Sequence, residues 1–520
     1  MRIELYDTTL RDGAQTEGIS YSVNDKIRIT KALDSLGIDY IEGGWPGANP
    51  KDSEFFNRMK RIELKNSELV AFGATYHPKK KVYLDPNIRG ILDAETKIVT
   101  IFGKSWGLHV REVLKVSLEE NLKLIGESIS YLRLKKREVI FDAEHFFDGF
   151  KENPNYALKT LLVSQEAGAK TTVLCDTNGG TLPQDISKII KEIKPKINTP
   201  LGIHTHNDLD LAVANSLAAI EAGCTHIQGT FNGYGERCGN ADLCTLIGIL
   251  KLKLGIDCIG GDKLKELTKV SYLVSEISNM KHSDHQPFVG RSAFAHKGGI
   301  HIDAMVKNPK TYEHIDPELV GNRRRFLISE LAGKTPLVLT AKEMRLELDK
   351  KSPKAKKIFK LLKDLEHRGY SFEAAEGSFK LLLQKELKRF KRFFDLEGFR
   401  VIVEKRADEK VFAEATIRLR VKGKEQYTAA EGSGPVNALD NALRKALNQF
   451  YPELSKMHLS DFKVRVLDEK EGTAAKVRVL IQSQDDKESW STVGVSENII
   501  EASWQALVDS IEYKLLKERC

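Results

Sequence analysis

Two histidines stand on alternate positions in residues 203–208, which read IHTHND. An extended strand sends side chains i and i+2 to one face, so His204 and His206 are expected to project together. Asn207 and Asp208 are turn-forming residues, which place the pair where the strand ends. Two imidazoles at this spacing can bind a divalent metal ion, but they are also common as ordinary polar surface. The spacing alone leaves both interpretations open.

A metal site needs more ligands than this pair. Asp12 follows the strand-like segment RIELYD, and Asn240 follows the strand-like segment THIQGTF. With the two histidines they form a mixed set of nitrogen and oxygen donors, which suits Mg²⁺, Mn²⁺ or Zn²⁺ and leaves positions open for a substrate. Because Asp12 and Asn240 are expected at the same strand ends as the two histidines, the metal site is favoured over a purely structural role.

Three further polar side chains are expected near these ligands. Arg11 would place a fixed positive charge where negative charge develops on a substrate oxygen. Glu144, in FDAEHF, would orient a substrate or relay a proton, or else pair with Arg11. Thr177, in DTNGG, offers a hydroxyl beside two glycines, where a carboxylate can approach the backbone. The alternative for the arginine is a salt bridge with one of three carboxylates: Glu42, Asp176 or Glu236.

The elements that must position these residues alternate along the first 250 or so residues. Eight strand-like runs are separated by amphipathic segments, and the runs are RIELYD, DYIEGGW, LVAFGATY, KIVTIFG, EVIFDAE, TTVLCDT, PLGIHTH and THIQGTF. Eight strand–helix units in about 250 residues predict a (β/α)8 TIM barrel, whose active sites lie at the carboxyl ends of the strands. The third helix is poorly marked, because Pro78 and Pro86 interrupt its region.

The predicted fold class is α/β with three parts. Residues 1–260 form the TIM barrel, residues 261–385 form helical subdomains or a linker, and residues 386–520 form a C-terminal α+β domain. In the last part, three strand-like runs and a helix are followed by three more runs and a second helix, a βββα unit of about 60 residues used twice. This part has no His or carboxylate cluster at its strand ends, so binding, assembly or regulation is favoured over chemistry.

The composition narrows the function classes. The chain has 520 residues, of which 41% are hydrophobic and 30% charged, and a net charge of +8. No apolar run is long enough to span a membrane, and the six cysteines show no disulfide or metal-binding spacing, so a cytoplasmic location is expected. The lysine-rich segment from residue 351 has interleaved acids and few aromatics, which disfavours nucleic-acid binding. A basic rim of this kind can also attract an anionic cofactor such as a coenzyme A ester.

Four motifs, in order, resemble a known family. LYDTTLRDGAQTEG, DTNG, HTHND and GYGERCGN are similar to the signatures of the metal-dependent enzymes that condense acyl-CoA with 2-oxoacids, which comprise the 2-isopropylmalate, homocitrate and citramalate synthases. The resemblance covers the whole chain and implies a TIM barrel, helical subdomains around HKGGIHIDAM, and a C-terminal regulatory dimer domain. It also implies acetyl-CoA as the co-substrate that is condensed with the 2-oxoacid.

The resemblance also assigns roles residue by residue. It implies that Asp12, His204 and His206 bind a divalent cation, with Asn240 at or near it. Substrate binding falls to Arg11, Gln15 and Thr177, of which the threonine helps to hold the carboxylate of the 2-oxoacid. The implied catalytic residues are Arg11, Glu144, His301 and Tyr312, and the histidine is the implied base, contributed across a dimer.

The segment EGGWPGANPKDSEFF most resembles the branch of the family that uses pyruvate, and the alternative is the branch that uses 2-oxoisovalerate. Asp142 and His145, beside Glu144, depart from the small or apolar residues that relatives often have. Trp45 and Phe141 either narrow the oxoacid pocket toward a methyl group or serve only in packing.

Two other functions compete with this one. The first is a metal-dependent lyase that uses Cys238, and the second is a barrel without catalytic activity that senses a metabolite or binds nucleic acid. For the C-terminal domain the resemblance implies isoleucine as an effector and a homodimer, and the alternative is dimerisation alone.

Overall fold

The computed structural model describes residues 2–329, 332–405, 407, 410–467 and 474–518. These residues pack into two compact units. The first unit comprises Met1–Phe294 and Ile315–Arg324, and the second comprises Ala295–His314 and Arg325–Cys520. The three domain ranges drawn from the sequence stay predictions.

The first unit contains a closed barrel of eight strands in chain order, which confirms the predicted TIM barrel. Its strands are β1 (Glu4–Asp7), β2 (Tyr40–Gly44), β3 (Glu68–Ala74), β4 (Ile98–Lys104), β5 (Glu138–Glu144), β6 (Thr171–Asp176), β7 (Leu201–Thr205) and β8 (His226–Gly229). The ring closes because β1 pairs in parallel with β8 as well as with β2, so that Leu5 lies opposite Ile227. All eight predicted strands are present.

Helices surround this barrel. They are α1 (Val23–Leu36), α2 (Pro50–Met59), α3 (Pro86–Asp93), α4 (Gly107–His109), α5 (Leu118–Leu134), α6 (Phe146–Glu152), α7 (Pro154–Glu166), α8 (Pro183–Ile193), α9 (Ala212–Glu221), α10 (Leu243–Leu252) and α11 (Leu267–Ile277). Helix α1 begins in a capping box of Ser22 and Asp25 and ends at Gly37, whose φ of 94° is left-handed. The poorly marked third helix also has clear ends: Asp85 caps it and Pro86 is its first residue, where a missing N–H costs no hydrogen bond.

Side chains on alternate strand positions separate two cores. The residues that point into the barrel form a small cluster of Tyr6, Tyr40, Val70, Ile98, Ile140, Val173 and Cys175. The intervening residues belong to a larger core that also includes apolar residues of the surrounding helices. Phe141 belongs to that outer core, because it follows the inward-facing Ile140 on β5. The idea that Phe141 narrows a pocket inside the barrel is therefore wrong.

The second unit begins with short elements and helices. Strands β9 (Ala295–His296) and β10 (Arg325–Phe326) pair in parallel, and the helices are α12 (Gly299–Lys307), α13 (Thr335–Glu343), α14 (Pro353–His367) and α15 (Glu376–Glu386). Apolar residues of α13, α14 and α15 share one core, which includes Val493. The basic helix α14 exposes most of its lysines, as a solvated helix face does.

The predicted βββα repeat is confirmed in the same unit. The first copy is β11 (Phe394–Glu404), β12 (Phe412–Val421), β13 (Lys424–Gly432) and α16 (Pro435–Leu447), and the second is β14 (His458–Val466), β15 (Val477–Gln484), β16 (Ser489–Ser496) and α17 (Ile499–Lys517). Each copy has a three-stranded antiparallel sheet, and alternate residues of β12 are buried with the apolar face of α16. Part of the predicted DFKVRVLDE strand, after residue 467, lies outside the described residues. Within the described parts of the chain, no helix is long and apolar enough to cross a membrane.

Candidate metal centre and active site

The structure brings three predicted ligands together at the carboxyl ends of β1 and β7. Asp12 Oδ2 lies 3.3 Å from His204 Nε2, and His204 Nε2 lies 3.3 Å from His206 Nε2. All three side chains are buried, and their candidate ligand atoms lie within 4.8 Å of one another. Strand alternation thus aims both histidines at one point, as the spacing predicted, and the closing pair of strands brings Asp12 to the same place.

Asn240 is placed by a loop that is hydrogen-bonded to the end of β7. Asn240 pairs with His206 in an isolated β-bridge, and the backbone N–H of the next residue, Ala241, donates to Thr205 O at 3.0 Å. The turn before it needs Gly239, whose φ is 87° and whose added Cβ would lie 2.0 Å from Gly233 O. As a result, Asn240 Nδ2 donates to Asp12 Oδ2 at 2.9 Å.

The donor set fits a divalent cation. Among the described residues, the buried Asn240 Oδ1 and His206 Nδ1 have no hydrogen-bond partner. A 180° flip of the Asn240 side-chain amide would exchange the positions of Nδ2 and Oδ1, so that the oxygen, which can bind a cation, would face Asp12. Two imidazole nitrogens, a carboxylate and an amide oxygen are a ligand set suited to Mg²⁺, Mn²⁺ or Zn²⁺.

Electrostatics favour this interpretation. Burial raises the pKa of Asp12 by itself, but the adjacent Arg11 and the two histidines outweigh it and hold the pKa below its ordinary value, so this side chain is a carboxylate. Burial, reinforced by the neighbouring His204, lowers the pKa of His206 to about 3. A neutral imidazole keeps the lone pair that binds a metal ion. The pKa of His204 is raised instead, because the Asp12 carboxylate beside it outweighs burial, and a cation bound next to Asp12 would take the place of the proton on this ring.

Arg11 lies against the ligands and is held from behind. Its Nε donates to Glu42 Oε1 at 2.6 Å, and its Nη1 lies 3.4 Å from Asp12 Oδ2. Glu42 is fully buried and also accepts from the Tyr6 hydroxyl at 2.6 Å. Burial alone would lower the pKa of Arg11, but the carboxylates of Glu42 and Asp12 raise it, so the guanidinium stays charged. Of the three salt-bridge partners considered from the sequence, Glu42 is the one found, and the pairing leaves Arg11 on the pocket wall.

The pocket itself is a cavity of about 230 Å³ inside the first unit. Besides the metal ligands Asp12, His204 and His206, it is lined by Arg11, Gln15, Trp45, Phe72, Phe102, Asp142, Glu144, Cys175, Thr177, Glu236 and Arg237. The predicted substrate-binding residues Arg11, Gln15 and Thr177 therefore share one cavity with the metal ligands. Thr177 Oγ1 accepts from the backbone N–H of His145 at 2.9 Å, so its hydrogen can be donated to a carboxylate.

Glu144 faces the same cavity but does not pair with Arg11. It forms an ion pair with Lys104, which lies opposite it on the neighbouring strand β4. The sequence interpretation missed this lysine, although both residues end neighbouring barrel strands. Arg237 was missed as well; it donates to both oxygens of Asp208 and to Thr177 O at 2.8 Å.

Three aromatic rings close one side of the cavity. Trp45 meets Phe72 and Phe102 edge to face, with ring centroids 5.7 and 5.5 Å apart, and the two phenylalanines stack at 5.4 Å. Trp45 Nε1 also donates to Asn87 Oδ1 at 2.6 Å, which fixes the indole. Of the two residues that the sequence offered for this wall, Trp45 lies on it and Phe141 does not; Phe72 and Phe102 complete it.

Asp142 and His145, the two departures on strand five, differ in position. Asp142 lines the cavity, and burial together with the charge of Glu42 raises its pKa to about 7. His145 is turned away by a left-handed φ of 57° and lies among Trp106, His109 and Asp148.

The other two predicted catalytic residues lie in the second unit. His301 is in helix α12, and its ring stacks on that of Tyr312 with centroids 4.1 Å apart and an angle of 25°. Both side chains are exposed. Their catalytic roles stay predictions.

Three family models match consecutive parts of the chain. Residues 2–274 match the HMGL-like family, residues 288–369 match the homocitrate synthase post-HMGL domain-like family, and residues 373–515 match the LeuA allosteric (dimerisation) domain. The chain belongs to the HMGL-like family, within its group of acyl-CoA condensing synthases of the 2-isopropylmalate and homocitrate type.

Individual relatives narrow this group. The chain is 55% identical over 519 residues to the (R)-citramalate synthase of Aquifex aeolicus, covering 99% of this chain and 98% of the relative. It is 54% identical to the (R)-citramalate synthase of Geobacter sulfurreducens, with the same shares of 99% and 98%. The 2-isopropylmalate synthase of Methanocaldococcus jannaschii is more distant, at 31% identity over 100% of this chain and 95% of the relative.

Proposed function

We propose that this chain condenses acetyl-CoA with pyruvate and water to give (R)-citramalate and CoA, the first step of a pyruvate route to isoleucine. The observation that carries the proposal is the pairing of full-length similarity to (R)-citramalate synthases with a small cavity that joins the ligand triad to an aromatic wall. The overall change removes a methyl proton from the thioester, forms a carbon–carbon bond to the keto carbon, protonates the resulting alkoxide and hydrolyses the thioester.

Asp12, His204, His206 and Asn240 would hold a divalent cation. Such a cation acts as a Lewis acid that polarises a keto group. Arg11 contributes a second, fixed positive charge beside these ligands, and donors aimed at developing negative charge are commonly worth a factor of about 10²–10³ in kcat. Because Glu42 holds Nε, the guanidinium is already oriented before a substrate enters.

Thr177 and Gln15 would bind the oxoacid. The Thr177 hydroxyl has its oxygen engaged by a backbone N–H, so its hydrogen is directed to an incoming carboxylate. Arg237 donates to the backbone carbonyl of the same threonine and braces that position, while its charge is paired with Asp208 and Glu236. The anionic end of an oxoacid would therefore be met by the Thr177 hydroxyl and the Arg11 guanidinium.

Proton transfer would involve Glu144, with His301 and Tyr312 as further candidates. Glu144 faces the cavity, and its ion pair with Lys104 keeps the carboxylate in one orientation. His301 and Tyr312 are stacked and exposed in their own unit, so their rings are free to meet a second substrate. General acid–base catalysis of this kind typically contributes a factor of about 10²–10⁴.

The choice of pyruvate rests on the aromatic wall. Trp45, Phe72 and Phe102 contact one another on the wall of the cavity, and we infer that they leave room there for a methyl group but not for a branched alkyl group. Discrimination by such a pocket is worth about 1–3 kcal/mol for each methylene group. Release of CoA thiol should be measured with pyruvate, 2-oxoisovalerate and 2-oxoglutarate. A higher kcat/KM with 2-oxoisovalerate would replace this proposal with a 2-isopropylmalate synthase.

We also propose that the repeat domain makes a homodimer and binds isoleucine as a feedback effector. In the first sheet, Ile402, Phe412 and Tyr427 lie on the face opposite α16 and are 37%, 39% and 73% exposed. The match of residues 373–515 to the LeuA allosteric (dimerisation) domain supports the dimer, and these exposed side chains, with Arg418 paired to Tyr427 between the strands, are candidate contacts. Light scattering of a Tyr427→Asp variant should show loss of the dimer, and isoleucine titration of the activity should show inhibition that leucine does not match. A monomeric parent protein, or turnover insensitive to isoleucine, would contradict these two proposals respectively.

A further inference from the structure

A buried hydrogen-bond chain runs behind one of the metal-binding histidines. Gln228 on β8 lies beside His204 on β7, and the two residues are strand partners. Gln228 Oε1 lies 2.8 Å from His204 Nδ1, and Gln228 Nε2 donates to Asp142 Oδ1 on β5 at 3.0 Å. Gln228 is fully buried, and Asp142 and His204 are only 4% and 5% exposed.

The chemistry of these groups gives the chain a direction. An ionised Asp142 carboxylate only accepts hydrogen bonds, so the amide nitrogen of Gln228 faces it at 3.0 Å. The amide oxygen then faces His204, and because that oxygen also only accepts, His204 Nδ1 must carry a hydrogen. A neutral ring with its hydrogen on Nδ1 has its lone pair on Nε2, which is the atom 3.3 Å from both Asp12 Oδ2 and His206 Nε2.

We propose that Gln228 and Asp142 are positioning residues that fix His204 in its metal-binding tautomer before a cation arrives. The proposal rests on the metal site of the proposed function. The neighbouring histidine offers a contrast, because His206 Nδ1 has no hydrogen-bond partner in the described part of the chain. The tautomer of His204 is thus fixed by residues inside the barrel, whereas no hydrogen bond to Nδ1 fixes the tautomer of His206 among the described residues.

Such a chain acts on the cation site without touching it. The second ring nitrogen of a metal-binding histidine usually donates to a protein acceptor, and losing that acceptor typically lowers metal affinity by about 10- to 100-fold. Asp142 acts one step further away, since its carboxylate decides which end of the Gln228 amide faces the ring. Loss of Asp142 should therefore weaken the site although Gln228 remains.

The test combines two measurements on the full-length protein. Nitrogen-15 NMR of ring-labelled histidine, in metal-free protein at alkaline pH where the ring is neutral, reports which nitrogen of His204 carries hydrogen; a His204→Gln variant assigns the signal. Calorimetry with Mn²⁺ reports cation affinity. Gln228→Met keeps an unbranched side chain of similar length without either hydrogen bond, and Gln228→Glu keeps an oxygen acceptor opposite Nδ1.

The wild-type ring should carry its hydrogen on Nδ1, and Gln228→Met should lose this preference and bind Mn²⁺ about 10- to 100-fold more weakly. Gln228→Glu should retain the tautomer. Asp142→Leu should shift both readouts in the direction of Gln228→Met, and it supplies the test if that variant does not fold. Asn215→Leu is the matched control, since it removes another fully buried amide, bonded to Thr181 O, and should change neither readout.

An unchanged His204 tautomer in Gln228→Met would overturn the proposal. So would an equal loss of affinity in Asn215→Leu, because the effect would then follow from weakened packing. A wild-type protein that binds no Mn²⁺ would contradict the metal site of the proposed function, while the ring spectrum would still decide for or against the hydrogen-bond chain.

Discussion

Replacing Phe102 with alanine should shift the enzyme toward a larger oxoacid. Phe102 stacks on Phe72 and meets Trp45 edge to face, so its ring forms part of the wall of the 230 Å³ cavity. An isopropyl group has two more carbons than a methyl group, and each carbon buried in the space left by the ring should gain about 0.8 kcal/mol. The total of about 1.6 kcal/mol corresponds to a rise of about 15-fold in the ratio of kcat/KM for 2-oxoisovalerate to that for pyruvate.

The assay is steady-state release of CoA thiol with each oxoacid at saturating acetyl-CoA. Phe141→Leu is the control, because Phe141 lies on the next strand but packs in the outer core. It should lower stability and leave the substrate ratio unchanged. An unchanged ratio in Phe102→Ala, or an equal shift in Phe141→Leu, would refute the assignment of the aromatic wall as the selective surface.

Three other predictions concern charge and metal. Arg11→Lys keeps a charge but loses the guanidinium fork that Glu42 orients, so kcat should fall by about 10²–10³ with little change in the KM for acetyl-CoA; an unchanged kcat contradicts the role. Treatment with a chelator should stop CoA release, and added Mn²⁺ should restore it. His204→Ala should stay inactive after Mn²⁺ is added and should bind no Mn²⁺ by calorimetry. Turnover that survives chelation would refute the metal requirement. Burial raises the pKa of Asp7 to about 7, even though Thr9 donates to it. Because the folded state then holds a proton that the unfolded chain releases, the contribution of this group to stability falls as pH rises from about 4 to 7. Urea unfolding of Asp7→Asn should therefore lose less stability than the parent across this window, and parallel losses would contradict the assignment.

The barrel could be predicted because its strands are marked by local pattern. Strand β5 matches the predicted segment EVIFDAE over its whole length, and the positions of Asp12, His204 and His206 followed from the ends of the strands. The third helix was less clear because prolines can either break a helix or begin one, and the cap provided by Asp85 decides for the second.

The parts of the site that escaped prediction depend on pairs of strands. Lys104 and Glu144 are 40 residues apart in the chain, and only the β4–β5 register puts them side by side. Of the two roles left open for Phe141, strand alternation could have chosen packing: Asp142 and Glu144 point to one face of β5, so Phe141 between Ile140 and Asp142 points to the other. Partners such as Gln228 and Asp142 depend on rotamers and buried space, which no spacing reveals.

The pairing of β1 with β8 closes the barrel, and the metal site can form only after this closure. Asp12 follows the first barrel strand, His204 and His206 lie at the end of β7, and Asn240 lies in the loop after β8, so the four meet only after the ring has closed. A growing chain on the ribosome holds no such cluster until residue 240 has emerged. An ion bound there would link the segments that follow β1, β7 and β8, and so would hold the first part of the barrel to its last part.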